Sequence, residues 1–180
     1  MLRATPSAML LTLGARNQVD ELVDLLAVCH RKIRQHLVLA RRLVLQGPTT
    51  PAPEVAETAA QIRRYFTVAL PLHVADEDLS IAPRLPHAGG ELGAAVAQVA
   101  SDHAKHQAMI DMLVALCSEV ERDPTRVTTL AERLAAVLDA LAPELAGHLD
   151  LEERVVFPAV RALPTAVRAA ILDEMRARRG

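Results

Sequence analysis

The chain has 180 residues, 51% of them apolar, with three aromatic side chains (Tyr65, Phe66, Phe157) and a formal net charge of −2. Its acids and bases are interspersed, which argues against a nucleic-acid surface. No run approaches the ~18 apolar residues of a membrane span, and two cysteines make no disulfide framework, so a reducing cytoplasm is the expected location. One domain rich in Ala, Leu, Val and Arg is expected, which is a helical composition.

Residues 1–16 read as an N-terminal arm, whose run Ala8–Leu13 is too short and weakly flanked for a signal peptide. Asn17 is the expected cap of a first long helix, with Asp20 and Glu21 in its first turn. That helix should stop at Gly47-Pro48. Its apolar stripe is Val19, Leu22, Val23, Leu26, Ile33 and Leu37, and His30 falls in phase with it. His36 lies off the stripe.

After the linker Pro48–Pro53, a second helix is expected from Pro53 to about Pro83, with Pro71 kinking it. Its inward positions are Val55, Ala59, Ile62, Phe66, Ala69, His73 and Glu77. Pro86–Gly90 is a loop. A third helix carries Leu92, Val96, Val99, His103, His106, Ile110, Leu113 and Cys117 on one face. Asp123-Pro124 caps a fourth, striped with Leu134, Leu138, Leu141, Leu145, His148 and Glu152, with a kink expected at Pro143. Past Pro164 comes a short amphipathic helix ending in Arg176, Arg178 and Arg179. The expected architecture is all-α: an up-down-up-down four-helix bundle over residues 17–163, with an extra C-terminal helix over 164–180.

One pattern occurs twice: His73-x3-Glu77-Asp78-x4-Pro83 and His148-x3-Glu152-Glu153-x4-Pro158. Residues four apart share a helix face, with Cβ atoms about 5–6 Å apart, so each imidazole and carboxylate can reach one ligand. Every long helix therefore sets a His on its core-facing stripe, and two add a Glu. Counting residues from the expected helix ends puts all four His in one half of the bundle. Burying so many ionisable groups is costly without compensation. The alternatives are hydrogen-bonded core histidines and solvated helix acids, but an aligned layer favours a transition-metal site. The abundance of nitrogen favours two irons, bridged by Glu77 and Glu152 and capped by His, with Zn or another divalent metal as the alternative.

Together with Cys29-His30-Arg31-Lys32-Ile33 and the Asp102-His103 segment, these motifs resemble the hemerythrin-like, or HHE cation-binding, family from about residue 20 to 160. The resemblance implies a four-helix bundle around an oxo- or hydroxo-bridged non-haem di-iron centre. It implies His30, His73, His103 and His148 as terminal ligands and Glu77 and Glu152 as bridges. His106 is either a fifth ligand or a nearby donor. The oxygen carriers of that family space the third-helix pair at i and i+4 and use HxxxxD on the fourth helix. The spacing of His103 and His106 at i and i+3, and the HxxxE of His148 and Glu152, move the chain towards sensing, iron-handling or redox-reactive relatives.

The expected small ligand is O2, peroxide or NO, for sensing, storage or protection from oxidants. A di-iron peroxidase or oxidase is the rival reading, and a metal-stabilised interaction module the third. The sequence names no protein partner and leaves enzymatic activity undecided. Asp76, Asp78, Asp150 and Glu153 are expected to be solvated or to support the ligands, and His36 and His87 to lie at the surface. Tyr65 is expected at the bundle surface, and Cys29 and Cys117 as packing residues.

Overall fold

A computed structural model describes residues 7–86 and 89–180, with side chains from residue 21 onward. The described residues form five helices and no strand. Helix α1 spans Ser7–Gln46, so Asn17 lies inside it rather than at its cap. It ends as expected, at a 3-10 turn over Gly47–Thr49. A side chain at Gly47 would come within 2.6 Å of Val127, so glycine permits the close approach of this turn to the fourth helix.

Helix α2 is composite: Ala52–Arg64, a π-turn at Tyr65–Ala69, Leu70–Asp76, a second π-turn at Glu77–Ile81 and a 3-10 turn at Ala82–Arg84. Helix α3 runs over Gly90–Arg122. Helix α4 comprises Val127–Leu151, a π-turn at Glu152–Val156 and Phe157–Ala162. Asp123 introduces α4 as expected, accepting the Thr125 N–H at 3.2 Å. Helix α5 is Thr165–Ala177. No single helix is long and apolar enough to cross a membrane.

The three π-turns have one physical cause. In each, the last residue before a proline donates its N–H five residues back: Leu70 to Tyr65, Ala82 to Glu77, Phe157 to Glu152. Proline has no N–H, and its ring collides with the carbonyl four residues earlier. One extra residue in the preceding turn relieves both problems without ending the helix. The kink expected at Pro71 thus takes the form of a π-turn. Pro143, expected to act likewise, lies in the uninterrupted segment Val127–Leu151 with its ring exposed.

The helices pack in the cyclic order α1–α2–α3–α4–α1. Burial fixes their directions. The larger apolar cluster holds Ile33–Leu43 of α1, Val55–Leu70 of α2, Ile110–Val120 of α3 and Val127–Leu149 of α4. The second holds Leu22–Leu26 of α1, Ile81 and Leu85 at the end of α2, Val99 of α3, and Val156–Val160 of α4. On α1 and α3 the second cluster comes first in the chain; on α2 and α4 it comes last. The helices therefore alternate in direction, and the His and Glu residues lie between the two clusters on all four.

Ile171, Leu172 and Met175 place α5 in the second cluster, beside Leu22 and Phe157. Buried Arg168 bonds back to the carbonyls of Arg161 and Leu163, satisfying the end of α4. Because Leu134 is 1% exposed and lies fourteen residues from His148, about 21 Å along the helix, its role is packing alone. Leu134→Ala should lower stability by about 2–5 kcal/mol in urea unfolding while leaving metal stoichiometry unchanged.

Candidate metal centre

Two inward carboxylates organise the layer between the clusters. Glu77 is 6% exposed and Glu152 1%. One oxygen of Glu77 faces His73 Nε2 at 3.2 Å and His30 Nε2 at 4.0 Å, while the other faces His103 Nε2 at 3.3 Å. Glu152 divides its oxygens the same way, one to His30 Nε2 at 3.1 Å and one to His148 Nε2 at 3.6 Å.

These contacts resolve into two groups: His30, His73, Glu77 and Glu152; and His103, His148, Glu77 and Glu152. In each group one ligand atom per residue lies within 4.8 Å of all the others. The two groups share both carboxylates. The donor set fits a metal, because protein contacts leave its atoms unsatisfied. His30 Nε2, both nitrogens of His73, Glu77 Oε2, His103 Nε2, His148 Nδ1 and Glu152 Oε2 are buried without a hydrogen-bond partner. Unpaired buried polar atoms are rare in folded proteins because each costs a desolvation penalty. Several imidazole and carboxylate donors in one place suit transition metals.

Around this layer the acid that follows each Glu has a defined task. Asp78 accepts from His103 Nδ1 at 3.0 Å, and Glu153 accepts from His30 Nδ1 at 2.8 Å. Each thus orients an imidazole on a neighbouring helix and leaves its Nε2 pointing inward, as outer carboxylates do for metal-bound His. Arg34 fixes Glu153 at 2.7 Å and also reaches Asp150 at 3.1 Å. Asp102 Oδ2 is 3.6 Å from His148 Nδ1, and its other oxygen accepts from Gln98 at 2.8 Å.

Asp76 is fully buried rather than solvated, paired with Arg178 at 2.7 Å and Arg179 at 2.5 Å. The C-terminal arginines, expected to serve their own helix dipole, thus hold the residue beside Glu77. Nothing in the sequence pointed to Arg34 or to the pairing of these two arginines with Asp76. The only sequence signal was the acid trailing each Glu.

His106 is 2% exposed but belongs to neither group; its Nε2 has no hydrogen-bond partner, with Glu144 3.9 Å away. His36 is half-buried rather than fully exposed, its ring stacked on Tyr65 at 3.7 Å. Tyr65 is also half-buried and packs against Phe66. Cys117 is buried and Cys29 half-buried, both as free thiols. Burial pushes Cys29 up and Cys117 to about 12. His87 lies outside the described residues.

The family comparison covers the second half of the centre. Residues 94–179 match the model of the hemerythrin HHE cation binding domain. Over that span, just under half of its length, the chain is similar to the hemerythrin HHE family. No curated protein matches the chain. The matched span contains His103, His106, His148 and Glu152; the fold brings His30, His73 and Glu77 of α1 and α2 to the same layer. The HHE domain binds metal cations, and both His/Glu groups can hold one.

Electrostatics within this layer set its pH response. For His30, burial opposes the charge, but the facing carboxylates of Glu152, Glu77 and Glu153 prevail and raise it to about 9. His103 likewise rises to about 9 through Glu77, against the effect of burial. Burial and the neighbouring Glu77 raise Glu152 to about 8. Glu77 is itself held well below the usual carboxylate range, since His73, His103 and His30 outweigh its burial. Burial lowers His73, and His148 to about 4.

Groups raised in the folded state hold their protons more tightly there than in the unfolded chain. The stability they contribute without metal is complete below their unfolded values and is lost as pH climbs through 8 to 9. Bound cations replace those protons. The difference in Tm between metal-loaded and metal-free protein should therefore widen from pH 6.5 to pH 9, as thermal scans at fixed metal concentration would show. A flat or narrowing difference would contradict the assignment. Separately, Asp78→Asn and Glu153→Gln should each weaken metal affinity roughly 10–100-fold in competition with a chelator, without loss of helical signal.

Proposed function

We propose that this HHE domain holds two iron ions, bridged by Glu77 and Glu152, and that the centre binds or reacts with O2, peroxide or NO. The observation that supports two ions over one is the division of both carboxylates: Glu77 turns one oxygen to His73 and His30 and the other to His103, while Glu152 turns one to His30 and the other to His148. A single ion would use one such group and leave two buried imidazoles unmatched. Nitrogen-rich, carboxylate-bridged sets suit iron better than the harder ions that prefer all-oxygen shells. Bound iron would supply reversible redox chemistry and open positions for a small ligand.

The protein's own part is positional. His30, His73, His103 and His148 would hold the ions from four different helices. Asp78 and Glu153 fix two of those rings against rotation, and the apolar clusters above and below exclude bulk water. The physiological use we infer is sensing, storage or protection from oxidants in a reducing compartment.

Purified protein reconstituted anaerobically should carry about two irons per chain and, in air, show ligand-to-metal charge-transfer bands that change with azide. Glu152→Ala should lose at least half of that iron. Stoichiometric zinc, with iron refused on reconstitution, would instead assign the layer a structural role. Full iron in Glu152→Ala would remove the bridge from the account.

A further inference from the structure

A cavity of about 310 Å³ lies against one face of the His layer. Its composition is lopsided. His73, His103 and His148 line it, whereas His30 and the two bridging carboxylates do not. The cavity therefore meets the centre on its imidazole side. The rest of the lining is mostly apolar, with Phe66, Leu70, Ile110 and Leu145, and its other polar side chains are Asp78 and Gln107. His106 lines the cavity too, 2% exposed and with Nε2 unpartnered. Its ring packs on His148 with centroids 5.4 Å apart, yet it belongs to neither metal-binding group.

The size exceeds what a diatomic ligand needs. An apolar cavity of about 150 Å³ accommodates benzene, and pockets for small organic ligands begin at roughly 300 Å³, mostly apolar with a few placed polar groups. One buried imidazole nitrogen with no protein partner is such a group, because leaving it unpaired carries the desolvation penalty of a buried polar atom. A ligand carrying a hydroxyl or carbonyl would remove that penalty.

We propose that this cavity binds a compact, largely apolar organic molecule of about 7–12 heavy atoms bearing one hydrogen-bonding group, and that His106 Nε2 receives that group. A simple phenol has the required shape and polarity. This deepens the reading of the centre and rests on it for the site's purpose: the bound molecule would lie beside the metal as its substrate or as the compound that gates its small ligands. Binding itself needs only the cavity.

The probes are p-cresol and toluene, which differ by one hydroxyl, titrated calorimetrically into metal-free and iron-loaded full-length protein. Both should bind wild type in either form, p-cresol more tightly. His106→Leu should weaken p-cresol about three- to tenfold, the worth of one net hydrogen bond, with toluene unchanged. Ala75→Phe and Ile110→Phe, each on the cavity wall, should abolish binding of both probes while circular dichroism confirms the folded bundle.

No binding by wild type, or binding untouched by both filling variants, would overturn the proposal. Equal effects of His106→Leu on both probes would remove the hydrogen bond from it. Iron content is measured in the same samples. Iron-loaded protein that ignores both probes refutes the cavity proposal alone; protein that binds p-cresol but refuses iron refutes the metal reading alone.

Discussion

Two carboxylates and four imidazoles in the middle of an apolar bundle are the constraint to which the other features answer. Ionisable groups removed from water must be paired, neutralised or bound to metal. Pairing within the protein is incomplete here: seven nitrogen or oxygen atoms of the layer have no hydrogen-bond partner. The raised His30, His103 and Glu152 show how protons balance the layer without metal, with Glu77 carrying the negative charge that His73, His103 and His30 stabilise. Cations in the same space would take up one nitrogen of each imidazole and the carboxylate oxygens and displace those protons. Folding, metal binding and pH response are therefore coupled at one level of the bundle.

The repeated motif serves that layer at three distances. His and Glu, four apart, face inward from one helix. The next acid reaches sideways to an imidazole of another helix, Asp78 to His103 and Glu153 to His30. The proline six residues beyond the Glu forces a π-turn that begins at the Glu itself, over Glu77–Ile81 and Glu152–Val156. Such turns are frequent at functional sites because they redirect side chains without ending the helix. From the other side, Arg178 and Arg179 pull the C-terminal segment onto Asp76, the neighbour of Glu77. The end of the chain is thus tied to the layer through charge as well as through the apolar contacts of Ile171 and Met175.

Much of this was legible in the chain because helical periodicity and ligand spacing are local. The stripes of α3 and α4 and most of that of α2 follow from residues three or four apart, and the stops at Gly47-Pro48 and Asp123-Pro124 from local turn signals. The exception on α2 is Ala69, expected inward but exposed, because the π-turn at Tyr65–Ala69 shifts the buried position to Leu70. What escaped depends on neighbours distant in sequence or on competition between local signals. Asn17 has a cap's side chain, yet helix continues through it from Ser7; axial positions counted from that cap misplaced the helix start while still identifying the shared layer. His106 lies on the same stripe as His103, but one turn of helix takes it out of both groups and onto the cavity wall. Arg34, Arg178 and Arg179 carry no local mark that distinguishes them from surface arginines, since their partners lie more than a hundred residues away.

The central claim is that Glu77 and Glu152 bridge two metal ions. X-ray absorption at the iron edge of the loaded protein tests it most directly. The account predicts oxygen and nitrogen first neighbours with imidazole scattering, and an iron–iron shell at about 3.5–4 Å or less that disappears in Glu152→Ala. An iron-loaded protein with imidazole scattering but no metal–metal shell would contradict it, because two ions that share both carboxylates cannot lie out of each other's range.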